Sequence, residues 1–292
     1  MNRNQQTSDR IRFIERVAKP VYRWVEAFGL NPLALRHFFP GFLAASREYA
    51  ALKKQNRKNG KPFRLRFSMP QLADRYETSG SARGHYFHQD LLVARRIFER
   101  TPARHVDVGS RVDGFVAHVA SFREIEVFDI RPLSTLIPNV CFRQFDLMEV
   151  PESHRACCDS LSCLHAIEHF GLGRYGDPID LFGHVKGFNN LITLLKPEGM
   201  LYLSVPIGPE RVDFNANRVF AVQTILDLAC DALELIAFSY VDDAGGLHER
   251  VALTPEKTEK DFDCQYGCGI FEFRKNKPKR LHSTRLSSSL SM

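Results

Sequence analysis

With 292 residues, 44% of them hydrophobic, the chain reads as globular and long enough for one large α/β domain plus an extension. No run approaches 18 uninterrupted apolar residues, so no membrane-spanning helix is expected; seven cysteines, at 141, 157, 158, 163, 230, 264 and 268, form no regular framework and fit reduced thiols rather than a disulfide scaffold. The net charge of +6 hides a segregation: 20 basic against 8 acidic residues in 1–100, 14 against 26 in 101–272, and 6 against none in 273–292. An acidic body with basic ends can steer an anionic partner such as phospholipid, nucleic acid or a phosphorylated sugar. It can equally reflect complementarity between the extension and the body.

In chain order, residues 8–28 place Ile14, Val17, Ala18, Val21, Val25 and Phe28 at helical spacing among Arg10, Arg12, Arg16, Lys19 and Arg23. Such a basic amphipathic stretch allows peripheral membrane contact. Pro20 divides it into two short helices, and packing on the protein's own body is the commoner fate of the stripe. The first residues lack the apolar core of a signal peptide, so a cytoplasmic location is expected. Asn31-Pro32 starts a helix that Pro40-Gly41 interrupts and that resumes from Phe42 to Leu52, and residues 53–61 read as a solvated linker. Thr78 to Gly84 reads as a turn before a helix from Leu91 to Arg100. His85 and His88 share a helix face, where capping or pocket lining is preferred to metal ligation. Residues 1–100 are thus a basic, mainly helical extension, 101–274 an α/β domain, and 275–292 a basic tail without the apolar content to order itself.

The α/β domain is organised around residues 104–115. His105 to Val108 suits a buried strand, Gly109 can take backbone angles closed to other residues, and Asp113 can cap the helix that follows. Phe115, Val116, Val119 and Ala120 let that helix pack back on the strand. Strand, tight turn and helix start make a nucleotide-binding corner. Glu124 to Asp129 is a second strand, ending in an acid where a carboxylate can accept both ribose hydroxyls. Cys141 to Leu147, Asp159 to His165 and Met200 to Pro206 continue a repeating β/α pattern. Between the last two, Asp177-Pro178 reads as a helix start, with Ile179, Phe182, Val185, Phe188, Ile192 and Leu195 as its apolar face. Helix 221–230 and strands 233–240 and 267–273 follow, the last two joined by a polar connection. Cys264 and Cys268 suggest half a zinc site, but no second pair follows at useful spacing, so no metal is expected.

These residues resemble the class I S-adenosylmethionine-dependent methyltransferases over about 100–274. The resemblance rests on Val106-Asp-Val-Gly109, Asp129, Asp146-Leu147, Ile167-Glu-His169 and Leu194-Leu-Lys-Pro-Glu-Gly-Met-Leu-Tyr-Leu-Ser-Val-Pro206. More narrowly, Gly84-His-Tyr-Phe-His-Gln-Asp90 and Leu164-His-Ala-Ile-Glu-His-Phe-Gly171 are similar to an uncharacterised DUF268-like family, often thought of alongside bacterial surface-glycan genes. The resemblance implies a Rossmann-like seven-stranded mixed sheet whose seventh strand runs antiparallel. It implies S-adenosylmethionine as cofactor, with Asp129 on the ribose hydroxyls, Asp146 and Leu147 around the adenine, Asp107, Gly109 and Ser110 shaping the methionine end, and Asp113 also among the cofactor-binding residues. One departure stands out: the family turn carries alternate glycines, whereas Ser110, Arg111, Val112 and Asp113 follow Gly109, and Arg111 puts a side chain where the cofactor passes close to bare backbone.

After the fourth strand, His165, Glu168 and His169 fall within one turn. A histidine there can take an acceptor's proton, and the glutamate can hold its tautomer; alternatively Glu168 and His169 tie the loop to the next helix. The implied reaction is methyl transfer to an oxygen or nitrogen of a small acceptor, a sugar or sugar nucleotide. The alternative is a catalytically inactive methyltransferase-fold scaffold in glycan assembly. A dehydrogenase is disfavoured by the lack of Gly-x-Gly-x-x-Gly, and nucleic acid by the lack of a recognisable binding motif.

Overall fold

The computed structural model describes residues 35–76, 79–80, 82–229 and 231–277. The amphipathic stretch 8–28 and most of the basic tail lie outside them. Two compact units divide at residue 81. The first is built on helix α1 (Leu35–Lys58), which contains Pro40. The expected interruption at Pro40 does not occur: the helix runs through it and forgoes the one hydrogen bond for which Pro40 has no N–H. The expected linker at 53–61 is likewise helical to Lys58, since Lys, Gln and Arg favour helix and the first breaker is Gly60. Arg75 Nη2 reaches both Glu48 carboxylate oxygens at 2.9 and 2.7 Å, folding the following segment back on α1.

The second unit begins at Ala82 and includes helix α2 (His85–Arg100). Its strands are β1 (His105–Val108), β2 (Ile125–Asp129), β3 (Val140–Gln144), β4 (Cys158–Leu164), β5 (Leu195–Ile207), β6 (Arg211–Asp213), β7 (Asn217–Val219), β8 (Leu233–Val241), β9 (Leu247–His248) and β10 (Gly267–Lys275). The main sheet has the order β3-β2-β1-β4-β5-β10-β8-β9. Strands β3, β2, β1, β4 and β5 run parallel, while β10 is antiparallel to both β5 and β8. This is an open, mixed Rossmann-like sheet with the antiparallel strand that the resemblance implies, and it has one addition: the two-residue β9 forms a hairpin on β8, turned by Asp242, whose Oδ1 accepts the amides of Ala244 and Gly246.

Both faces of the sheet are covered, as parallel strands require. On one side α2 and helix α3 (Ala117–Ala120) bring Leu92, Val93, Ile97, Phe115, Val116 and Val119 against Val127 and Ile270. On the other, helices α4 (Gly183–Leu194) and α5 (Val222–Ala229) bring Phe188, Leu191, Leu194 and Ile225 against Leu161, Leu201 and Phe271. Full burial of each such side chain contributes about 1.5–3 kcal/mol. A polar pin crosses the first interface: Arg96 Nε donates to Glu272 at 3.0 Å, and Arg96 Nη2 to Glu249 at 3.2 Å. A final short helix, α6 (Pro255–Glu259), precedes β10.

Two local expectations are corrected. Asp113 makes no cap: its carboxylate takes the Arg111 guanidinium at 3.1 and 2.8 Å, and the turn ahead of α3 is a π turn with non-helical angles at Gly114. Asp177-Pro178 starts no helix, since α4 begins only at Gly183. The Asp177 carboxylate instead accepts backbone amides of Gly171, Gly173 and Tyr175 at 2.9, 3.2 and 3.1 Å. Upstream amides outcompete a helix N-terminus for it, and Ile179, Leu181 and Phe182 are left exposed.

Candidate active site

The parallel strands deliver their carboxyl ends to one edge, and a cleft of about 590 Å³, counting the solvent at its mouth, opens there. In open α/β sheets this edge is where ligands bind. Gly109, Asp129, Asp146, Leu147, His165 and His169 all line the cleft. Gly109 leaves β1 with φ +72°, and a Cβ there would lie 2.9 Å from the Ala166 Cβ. Gly109→Ala is therefore expected to cost about 1–2 kcal/mol in a denaturant melt, from the left-handed backbone alone, and to narrow the cleft floor.

Other expected residues lie elsewhere. Asp107 is fully buried beneath the cleft, accepting from Ser110 Oγ (2.6 Å), Ser110 N (3.1 Å) and Ser162 Oγ (2.5 Å). Burial pushes its carboxyl up to about 7. Ser110 is buried with it and ties Leu164 N to its hydroxyl at 3.2 Å, so the pair braces the β1 turn against β4. Asp113 is on the surface, and Arg111, paired with it, rests over the Tyr86 ring at 5.3 Å rather than in the cleft.

Asp129 ends β2 with its side chain 10% exposed. Arg131 brackets it, donating from its backbone N at 2.8 Å, Nε at 2.9 Å and Nη2 at 2.6 Å. The Arg131 guanidinium lies 4.7 Å from the centre of the Tyr175 ring, and Arg174 lies 5.4 Å from the same ring. Asp146 holds Met148 N at 2.9 Å, and Asn190 holds the Leu147 carbonyl at 2.7 Å, fixing the adjoining wall.

At the far end stand the two histidines. His165 has a left-handed backbone (φ +50°); its Nδ1 meets Glu168 Oε1 at 2.7 Å. Burial opposes its protonation, but Cys268 and Glu168 outweigh burial and raise it above the ordinary histidine value. His169 is the opposite case. Burial lowers it below the ordinary value, Glu168 opposing and Arg174 assisting. Its Nδ1 lies 2.7 Å from the Ala216 carbonyl, an acceptor, and 3.3 Å from Arg174 Nη1, a donor; the shorter contact favours the neutral ring with its proton on Nδ1 and its lone pair on Nε2. Nε2 lies 3.8 Å from the Glu168 carboxylate, which favours positive charge arriving on that ring.

The loop that carries them is held by a residue that no motif marks. Arg218 on β7 is 4% exposed, and its guanidinium donates to the carbonyls of Glu168 (3.3 Å), Phe170 (2.6 Å), Asp180 (3.3 Å) and Leu181 (3.2 Å). Gly183 and Gly187 of α4 leave room for Phe170, whose ring would lie 2.5 Å from a Cβ at 187. Arg218→Met strips four carbonyls of a charged donor. It is expected to lower stability by on the order of 3–5 kcal/mol by chemical denaturation, less than the simple sum because freed loop carbonyls reach water.

The profile of a family described as "Caenorhabditis protein of unknown function, DUF268" matches residues 140–265. That span runs from β3 to just before β10 and holds the whole histidine loop. No curated protein matches the chain. Among solved structures, the chain is similar to the N-methyltransferase NodS from Bradyrhizobium japonicum WM9 in complex with S-adenosylhomocysteine, at 11% identity and TM-score 0.45, over 66% of this chain and 88% of that one. It is similar to the 1,6-didemethyltoxoflavin-N1-methyltransferase of Burkholderia thailandensis at 15% identity and TM-score 0.46, over 65% and 79%. The [4+2]-cyclase SpnF is similar at 16% identity and TM-score 0.46, over 80% and 96%. Among the described residues no helix is long and apolar enough to cross a membrane.

Proposed function

We propose that the cleft binds S-adenosylmethionine and that the chain transfers its methyl group to an oxygen or nitrogen of a small acceptor, a sugar or sugar nucleotide, with His169 Nε2 taking the proton. The observation that carries this reading is the convergence, at the carboxyl edge of this strand order, of a side-chain-free crossing at Gly109, an acid ending β2 at Asp129, and a histidine lowered below its ordinary value, His169, in the turn after β4.

The residues fit the cofactor. The floor of the cleft at Gly109 has no room for a Cβ, and Phe145, Leu147 and Ala166 offer apolar surface for a base beside the Asp129 carboxylate. Asp129 would hold the ribose hydroxyls once Arg131 yields part of its hold on that carboxylate. Asp146 and Leu147 would flank the adenine, and Gly109 would admit the methionine end. Bound there, S-adenosylmethionine supplies a methyl group on a sulfonium, a leaving group that needs no acid.

The protein's own contribution is then position and one proton. In-line displacement is accelerated mainly by holding the acceptor atom behind the methyl carbon. His169 accepts the acceptor's proton at Nε2, with Nδ1–H anchored on Ala216 and Glu168 beside the growing charge. His165, held by Glu168 and raised above its ordinary value, is the poorer base. Arg131, which lines the cleft, and Arg174 both lie against the Tyr175 ring, which supports an acceptor carrying phosphate. Incubation with S-adenosylmethionine carrying an isotopic methyl and a panel of sugar nucleotides tests the reading. Labelled product is expected from the wild type and not from His169→Ala; equal labelling by both would remove His169 from the reaction.

A further inference from the structure

We propose that His85, His165 and Cys268 form a binding site for a zinc-class divalent metal ion. Three separate stretches of chain deliver them: His85 opens α2, His165 follows β4, and Cys268 is the second residue of β10. One ligand atom from each lies within 4.8 Å of the other two. A tetrahedral zinc with bonds of roughly 2.0–2.3 Å holds such atoms about 3.3–3.8 Å apart, so closure needs side-chain movement of about an ångström. The two imidazole rings lie 5.2 Å apart, centre to centre, and nearly parallel, so closure also needs one ring to rotate until both lone pairs converge on the ion.

The surroundings are those of ligands rather than of packing. His165 Nδ1 is held by Glu168, while its Nε2 is sealed from solvent and has no conventional hydrogen-bond partner. That is the arrangement in which a carboxylate orients a metal-binding histidine. The His85 ring is hydrogen-bonded to the backbone of Tyr266 and faces the Tyr266 ring at 5.5 Å, a second outer support of the same kind. Cys268 is fully buried on a strand register fixed by its pairing with Pro206, and its thiol makes only long contacts, 3.7 Å to Gln89 Oε1 and 3.9 Å to the Gly269 carbonyl, which a metal-bound thiolate would give up. Two imidazole nitrogens and one sulfur favour zinc over magnesium or calcium, which take oxygen. Three protein ligands leave a fourth position open. Cys264, the neighbour that sequence spacing offers as partner, stands outside the cluster, its thiol donating to the Phe262 carbonyl.

The inference does not rest on the methyltransferase reading, and its test uses metal alone. The full chain is stripped with a chelator, then titrated with zinc against a chromophoric competitor, and with cobalt while the thiolate-to-cobalt charge-transfer band is followed. One equivalent of zinc is expected, together with that band. Cys268→Ser should abolish the band, and both Cys268→Ser and His85→Ala should weaken zinc by at least about 100-fold. Glu168→Gln should weaken it about 10–100-fold by loosening His165, and Cys264→Ser should leave it unchanged. Circular dichroism establishes that each variant is folded; His85 sits half-buried at a helix start, so its alanine variant keeps the comparison available even if Cys268→Ser does not fold. Failure of the wild type to take up an equivalent of zinc overturns the proposal, as does equal zinc affinity in wild type and folded His85→Ala.

Discussion

Asp129→Ala is expected to weaken S-adenosylmethionine binding by about 100-fold or more in isothermal titration, while leaving the protein folded. Two hydroxyls hydrogen-bonded to one carboxylate are worth about 1.5–3 kcal/mol each, enough for that factor or more. The strand end does not depend on the side chain, because the Asp129 carbonyl still accepts Phe145 N at 2.9 Å. Arg131 loses its partner but is 46% exposed, so water can take over its donors. Asp129→Asn keeps the shape and one acceptor oxygen and should fall between the two. A loss of less than threefold in the alanine variant would mean that the ribose does not sit on Asp129.

His169→Ala is expected to lower turnover by roughly 10²- to 10⁴-fold with cofactor affinity near wild type, the range that a positioned base contributes. The sign of the pH dependence follows from burial, which lowers His169 below its ordinary value. The groups facing its ring are Glu168, Arg174, the Ala216 carbonyl, the Tyr175 ring and, further off, His165. A lowered value keeps the neutral, proton-accepting form dominant through neutral pH. Wild-type turnover should therefore be flat above the ordinary histidine value and fall only as pH drops below it. The alanine variant should lose that acid limb along with its rate. His165→Ala should not reproduce this profile; if it does and His169→Ala does not, the two roles are reversed.

Most of the strands and the residues at their ends were legible because each depends on local sequence, whereas the mixed sheet was implied by the family resemblance. Val106 to Gly109, Asp129 and Asp146-Leu147 sit at strand ends, and strand ends follow from apolar runs and breakers. Less legible was anything set by distant contacts. Asp177 before Pro178 has the pattern of a helix start, but the competing amides of Gly171, Gly173 and Tyr175 appear only once the loop has closed. Nothing around Arg218 signals that its guanidinium will gather four carbonyls lying 37 to 50 residues upstream. Arg131 left a weak trace, as a cation two residues beyond an acid expected at a binding edge. The closeness of His85, His165 and Cys268 was not legible either, since sequence spacing sets His85 beside His88 and Cys268 beside Cys264, and the sheet order that brings the three together is not a property of any one stretch.

The measurement that bears most directly on the account is a thermal-shift titration of the full chain with S-adenosylmethionine, S-adenosylhomocysteine, NAD and a nucleotide sugar, each alone. A ligand that binds only the folded state stabilises it by about 2.7 kcal/mol at a hundred times its Kd, so occupancy of the cleft reads out as a saturable rise in Tm. The expected result is such a rise with S-adenosylmethionine and S-adenosylhomocysteine, none with NAD, and loss of the rise in Asp129→Ala. Stabilisation by NAD alone, or by neither sulfur compound at millimolar concentration, would contradict it.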